Sequence, residues 1–75
     1  MDYYLISMRD PNRIYKFQNM VTSLWAMNPD MRYLQLVEMV HRKTTEMFGL
    51  NPETDPFYIE DDKTEAAISA LLKGQ

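Results

Sequence analysis

Cysteine is absent from this chain, so disulfides and thiolate metal sites have no place in it. That absence fits a reducing cytoplasm. Glycine occurs only twice, which disfavours Gly-rich phosphate loops and turn-rich β folds. Histidine occurs once, and none of the serines Ser7, Ser23 and Ser69 sits in a nucleophile-elbow motif. The parts of a Ser–His or Cys–His catalytic group are therefore missing, and no enzyme activity is expected. No stretch approaches the ~20 consecutive apolar residues of a membrane span. The first residues do not read as a signal peptide, because Asp2 stands where a positive region belongs and Tyr3-Tyr4-Leu5-Ile6 is too short an apolar run. A cytoplasmic protein with no membrane contact is the expectation.

An excess of positive charge is also lacking. Eight basic residues face eleven acidic ones, for a net charge of -3. General nucleic-acid binding needs many phosphate-neutralising cations, so it is disfavoured. The imbalance is local: residues 1–50 hold six bases and five acids, and residues 51–75 hold two bases and six acids. With 75 residues the chain forms one domain. A chain of this size buries only about 60% of its unfolded surface, so its core is thin.

What is present is helix grammar. Asp10-Pro11 is a start signal: the carboxylate caps free N–H groups and proline fits the first helical position. Ile14, Phe17, Val21 and Leu24 then recur at steps of three and four, with Trp25 widening the stripe. A first helix is predicted over 11–28. Asn28-Pro29-Asp30 stops it and starts a second over 31–48, with Asp30 as the cap. Tyr33, Leu34, Val37, Val40, His41, Thr44, Met47 and Phe48 form its inward arc, and Glu38, Arg42 and Glu46 an i, i+4 ladder opposite. Gly49 and Leu50 read as the C′ and C″ residues of its end.

Residues 51–56, with two prolines, are a loop. Phe57-Tyr58-Ile59 follows as a short segment whose large side chains call for burial. Asp61 or Asp62 caps a third helix over 62–73, whose apolar face is Thr64, Ala67, Ile68, Leu71 and Leu72. The fold class is all-α, a small bundle of three main helices with residues 1–9 as an N-terminal arm or extension. Met8 stands two residues before the first cap. Residues 1–7 thus have two readings: an accessory stretch ahead of an alternative translation start, or an arm packed on the helices through Tyr3, Tyr4, Leu5 and Ile6.

Three candidate sites follow. His41 lies on the inward arc, where a histidine with a satisfied ring is the default and a catalytic base would need a visible partner. Asp55, Glu60, Asp61 and Asp62 lack EF-hand spacing and the mid-loop glycine, so no metal and no cofactor are expected. Met31 and Met39 fall on the polar face of the second helix with Arg32 and Arg42. Either another segment covers them, or they form an adaptable apolar surface for a protein partner, rimmed by the two arginines. A non-enzymatic protein-interaction module is the leading expectation, and a two-fold contact between copies stays open. The alternative is a nucleic-acid-binding domain using the helix over 31–48, with Arg32 and Gln35 near its start.

Met8-Arg9-Asp10-Pro11-Asn12-Arg13-Ile14, then Leu24-Trp25, Asn28-Pro29-Asp30-Met31-Arg32 and Leu36-Val37, stand in an order that resembles the YihD-like family. Asp55-Pro56-Phe57-Tyr58-Ile59-Glu60-Asp61-Asp62 looks like the stretch before the final helix of some members. The resemblance covers about residues 8–72 and leaves residues 1–7 outside it. It implies an all-helical fold and a bacterial cytoplasmic setting, for small proteins of unknown function. It supplies no catalytic or cofactor residue.

Overall fold

A computed structural model describes residues 10–74; the arm or extension expected over residues 1–9 lies outside the described residues. The described chain is all-α. It runs α1 (Asn12–Met27), α2 (Tyr33–Phe48), a single 3-10 turn (Pro56–Tyr58) and α3 (Asp61–Gly74).

The helix ends follow from local hydrogen bonding. The Asp10 carboxylate accepts the Asn12 N–H at 2.9 Å, the role its position before proline predicts. At the other end of α1, the Asn28 side chain donates to the Leu24 carbonyl at 3.0 Å and its N–H to the Trp25 carbonyl at 2.9 Å. The second helix starts later than expected. Asp30 is not its cap: residues 28–31 form a turn closed by Met31 N–H on the Asn28 carbonyl, and Arg32 stays extended at φ -78° and ψ 156°. The Gln35 side chain then reaches back to the Arg32 N–H at 2.8 Å, so a residue inside the helix satisfies its approach. Gly49 takes φ +64° and Leu50 donates to the Thr45 carbonyl at 2.9 Å, the Schellman closure its sequence predicts. Asp55 caps the 3-10 turn by accepting from Phe57 at 3.0 Å. Asp61 and Asp62 are inside the first turn of α3 rather than before it, and the Glu60 carbonyl accepts from Lys63 and Thr64. Their charges there oppose the positive end of the helix dipole favourably.

The final helix is the hub. It packs against both α1 and α2, and it supplies Ala67, Ile68 and Leu71 to a core completed by Leu24, Leu36 and Val40. Arg13 pairs with Asp61 and Lys16 with Glu65 at 3.1 Å, so α1 and α3 run side by side in the same direction. The Lys63 ammonium lies over the Phe48 ring, which puts the end of α2 beside the start of α3. The result is an up-down-up bundle.

The inward arc predicted for α2 is rotated. Leu34 is 74% exposed, and Tyr33, Val37, Met47 and Phe48 are exposed as well. The buried line is Leu36, Val40 and Thr44, with Thr45 beside it. Threonines enter this core because each hydroxyl is satisfied within its own helix. Thr44 donates to the Val40 carbonyl at 2.7 Å and Thr45 to the Arg42 carbonyl at 3.0 Å. The segment Phe57-Tyr58-Ile59 also departs from expectation. Phe57 and Tyr58 are 82% and 76% exposed and stack edge to face on each other, and only Ile59 turns inward.

Candidate interaction groove

The rotation of α2 opens an apolar groove of about 200 Å³ between α1 and α2. Phe17 and Val21 form one wall, and Tyr33, Val37 and His41 the other. The buried side chains of Leu36, Val40 and Ile68 make its floor, and Pro56 and Ile59 stand at the end near the start of α3. Leu34 extends the exposed apolar surface beyond Tyr33 and Val37.

His41 joins α2 to the loop that follows it. Its Nε2 lies 2.8 Å from the Thr54 carbonyl. A carbonyl only accepts, so Nε2 carries the proton in this bond. The contact ties the loop over 51–56 to α2 and thereby holds Pro56 and Ile59 at the mouth of the groove. The same loop is stiffened by Asn51, whose side chain accepts the Glu53 N–H at 2.8 Å.

The groove meets an acidic edge at Phe17. That edge is lined by Arg13, Phe17, Glu60, Asp61, Asp62 and Glu65. Arg13 and Lys16 each meet one of its carboxylates, so four acids face two cations there. The acids converge because α3 and its approach place them on one end of the bundle. Among the described residues, no group of three or more histidines or acids is arranged to hold a metal ion. None of the described helices is long and apolar enough to cross a membrane.

The four residues singled out in sequence lie elsewhere. Met31 and Met39 are half-buried and pack against the core cluster. With Gln35, Glu38 and Arg42 they line a separate, more open depression of about 580 Å³, on the side of α2 away from the apolar groove. Arg32 is exposed beside the approach to α2, and Arg42 binds Glu38 at 2.9 Å. The structure thus brings Met31, Met39 and Arg42 together around one solvent-open depression, with Arg32 outside its lining. Leu34, Tyr33 and Val37, the residues of the exposed face, were assigned to the core by their spacing. Their signal was present as a second apolar stripe on α2, parallel to the one that is buried.

Comparison of the chain with models of known protein families, with curated proteins and with solved structures finds no match in any of the three.

Proposed function

We propose that this domain is a non-enzymatic protein-interaction module. Its groove takes an amphipathic segment of a partner protein, one with large apolar side chains and a lysine or arginine at one end. The observation that carries this reading is the solvent-open apolar groove whose one end is a net acidic edge. Apolar contact at the centre with charge at the rim is the usual anatomy of such interfaces. The exposed aromatic and aliphatic rim of Tyr33, Leu34 and Val37 supplies the anchors, and the Glu60–Glu65 edge supplies orientation. A bacterial cytoplasmic setting, which the YihD-like resemblance implies, belongs to the same proposal. The nucleic-acid alternative draws less support, since Arg13, Lys16 and Arg42 each sit on a carboxylate.

The test is selection of a displayed random peptide library on the full chain and on a Leu34→Ser/Val37→Ser variant. Both substituted positions are exposed, so the fold should persist, which the circular dichroism spectrum checks. Enriched peptides should combine large apolar residues with lysine or arginine and should lose binding to the variant. Peptides that bind both forms equally would overturn the groove as the site.

A further inference from the structure

The start of α2 has the chemistry that the groove selects. Tyr33, Leu34 and Val37 are exposed apolar side chains, and Arg32 stands exposed just ahead of them. Among the described residues Arg32 has no ion-pair partner, whereas Arg13, Lys16 and Arg42 each meet a carboxylate. The acidic edge holds a matching group, since Asp62 also has no ion-pair partner among the described residues. Within one molecule the two do not meet. Arg32 precedes α2, and Asp62 lies at the start of α3, beside the end of α2. The 16 residues of α2 hold them about 24 Å apart.

A second copy closes that distance if its α2 runs antiparallel to the first, as a two-fold axis perpendicular to the helices requires. With the axis at Val37, Leu34 of one copy lies over Val40 in the groove floor of the other, and Tyr33 lies opposite His41 on the groove wall. Arg32 falls opposite residue 42, about 7.5 Å along the helix from the axis. Because α1 and α2 are antiparallel and joined through residues 28–32, residue 42 stands about level with Phe17, where the groove meets the acidic edge. Arg42 itself does not oppose the incoming cation, since it binds Glu38 on the other side of α2. A parallel pair would set Arg32 against its own copy and leave both acidic edges unanswered. The contact area also suffices. Tyr33, Leu34 and Val37, with Phe57 and Tyr58 on the turn between Pro56 and Ile59 at the groove's end, expose 40–82% of their surfaces. With roughly 200 Å² per large side chain, this comes to about 600 Å². A standard interface takes about 800 Å² from each partner, and the polar rim supplies the rest.

We propose that the groove is where two copies of this chain pair. They meet about a two-fold axis at Val37, each laying the start of α2 over the other's groove and Arg32 against the other's acidic edge, beside Asp62. This rests on the groove being a docking site, as proposed above, and names its partner. The interface is isologous: Tyr33 and Val37 are groove wall in one copy and inserted face for the other. Any other amphipathic segment then binds in competition with the second copy.

Two measurements on the full chain test this. The first is sedimentation equilibrium. The native chain should form a dimer at about 0.1 mM, and Leu34→Glu, which puts a charge into the apolar contact, should weaken it about tenfold or more. Leu34 is exposed in the single copy, so the circular dichroism spectrum should stay native. A monomeric native chain that still binds the selected peptides overturns the pairing and leaves the groove as a docking site for another protein. A monomer that binds no peptide overturns both. A dimer indifferent to Leu34→Glu overturns the placement. The second is a charge exchange. Arg32→Glu alone and Asp62→Arg alone should each weaken self-association about tenfold, through like charges brought together. Mixed in equal amounts, the two variants should pair with each other, because both contacts of the mixed dimer then join opposite charges. Native mass spectrometry reads the mixed species by its mass. A mixture with no preference for the mixed dimer overturns the antiparallel register.

Discussion

Trp25 joins two elements through the two parts of its side chain. The indole N–H donates to the Met31 carbonyl at 2.8 Å, and the ring leans on Tyr33 with centroids 5.5 Å apart. The turn between α1 and α2 is thus latched by a residue that precedes it. Trp25→Phe keeps a ring but leaves the carbonyl without this donor. A loss of about 1 kcal/mol is expected from the hydrogen bond. For a domain of this size that lowers Tm by roughly 4–8 °C, which thermal denaturation followed by circular dichroism would read. An unchanged Tm would mean that solvent replaces the indole at no cost. The methionines carry a second prediction at this scale. Met31 and Met39 are half-buried against the core, so Met31→Gln/Met39→Gln should cost about 1–2 kcal/mol through lost apolar burial. A double variant with native stability would mark both as spectators on an open surface.

Elements show where sequence reading succeeds and where it stops. The number of helices and most of their ends are legible because turn chemistry is local: Asp10 before Pro11, Asn28 before Pro29, Gly49 at positive φ. Asp30 misleads because the Gln35 side chain takes over the approach to α2, accepting the N–H of Arg32 three residues before it. The rotation of α2 is not legible for a different reason. Apolar residues stand at 33, 34, 36, 37, 39 and 40, so two stripes compete, and only contact with α3 decides between them. Thr45, buried on the winning side but outside the predicted arc, disguises it further. The groove is invisible for the same reason, being the stripe that loses. One pair of substitutions separates the two stripes. Leu36 is 1% exposed and Leu34 is 74% exposed. Leu36→Ala should cost about 2–5 kcal/mol, and Leu34→Ala less than about 0.5 kcal/mol. Chemical denaturation of both variants checks the contrast; a reversed order would restore the arc predicted from spacing.

At the scale of the whole molecule, α1 and α2 depend on α3. Each packs on the last helix, and the shared core contains Leu24 from α1, Leu36 and Val40 from α2, and Ile68 and Leu71 from α3. The surface ion pairs from α1 to α3 add little, since exposed pairs contribute about 0–1 kcal/mol each. Cohesion thus comes from one small apolar cluster centred on α3, and the folded state should not divide into a stable two-helix piece and a detachable helix. Helices as short as α1 and α2, with 16 residues each, are marginal alone in water. A chain ending before Asp61 should therefore lose most of its helical circular dichroism rather than the share belonging to α3. In the complete chain, Ile68→Ala should destabilise by about 2–5 kcal/mol. Trp25 fluorescence reports the α1–α2 turn and far-ultraviolet circular dichroism reports all three helices. Their denaturation curves should shift together and remain superimposed, as a single cooperative unit requires. If Trp25 kept its folded signal to higher denaturant than the helical signal, the α1–α2 hairpin would stand alone. The groove would then need no α3 floor, and the hub assigned to the last helix would have to be given up.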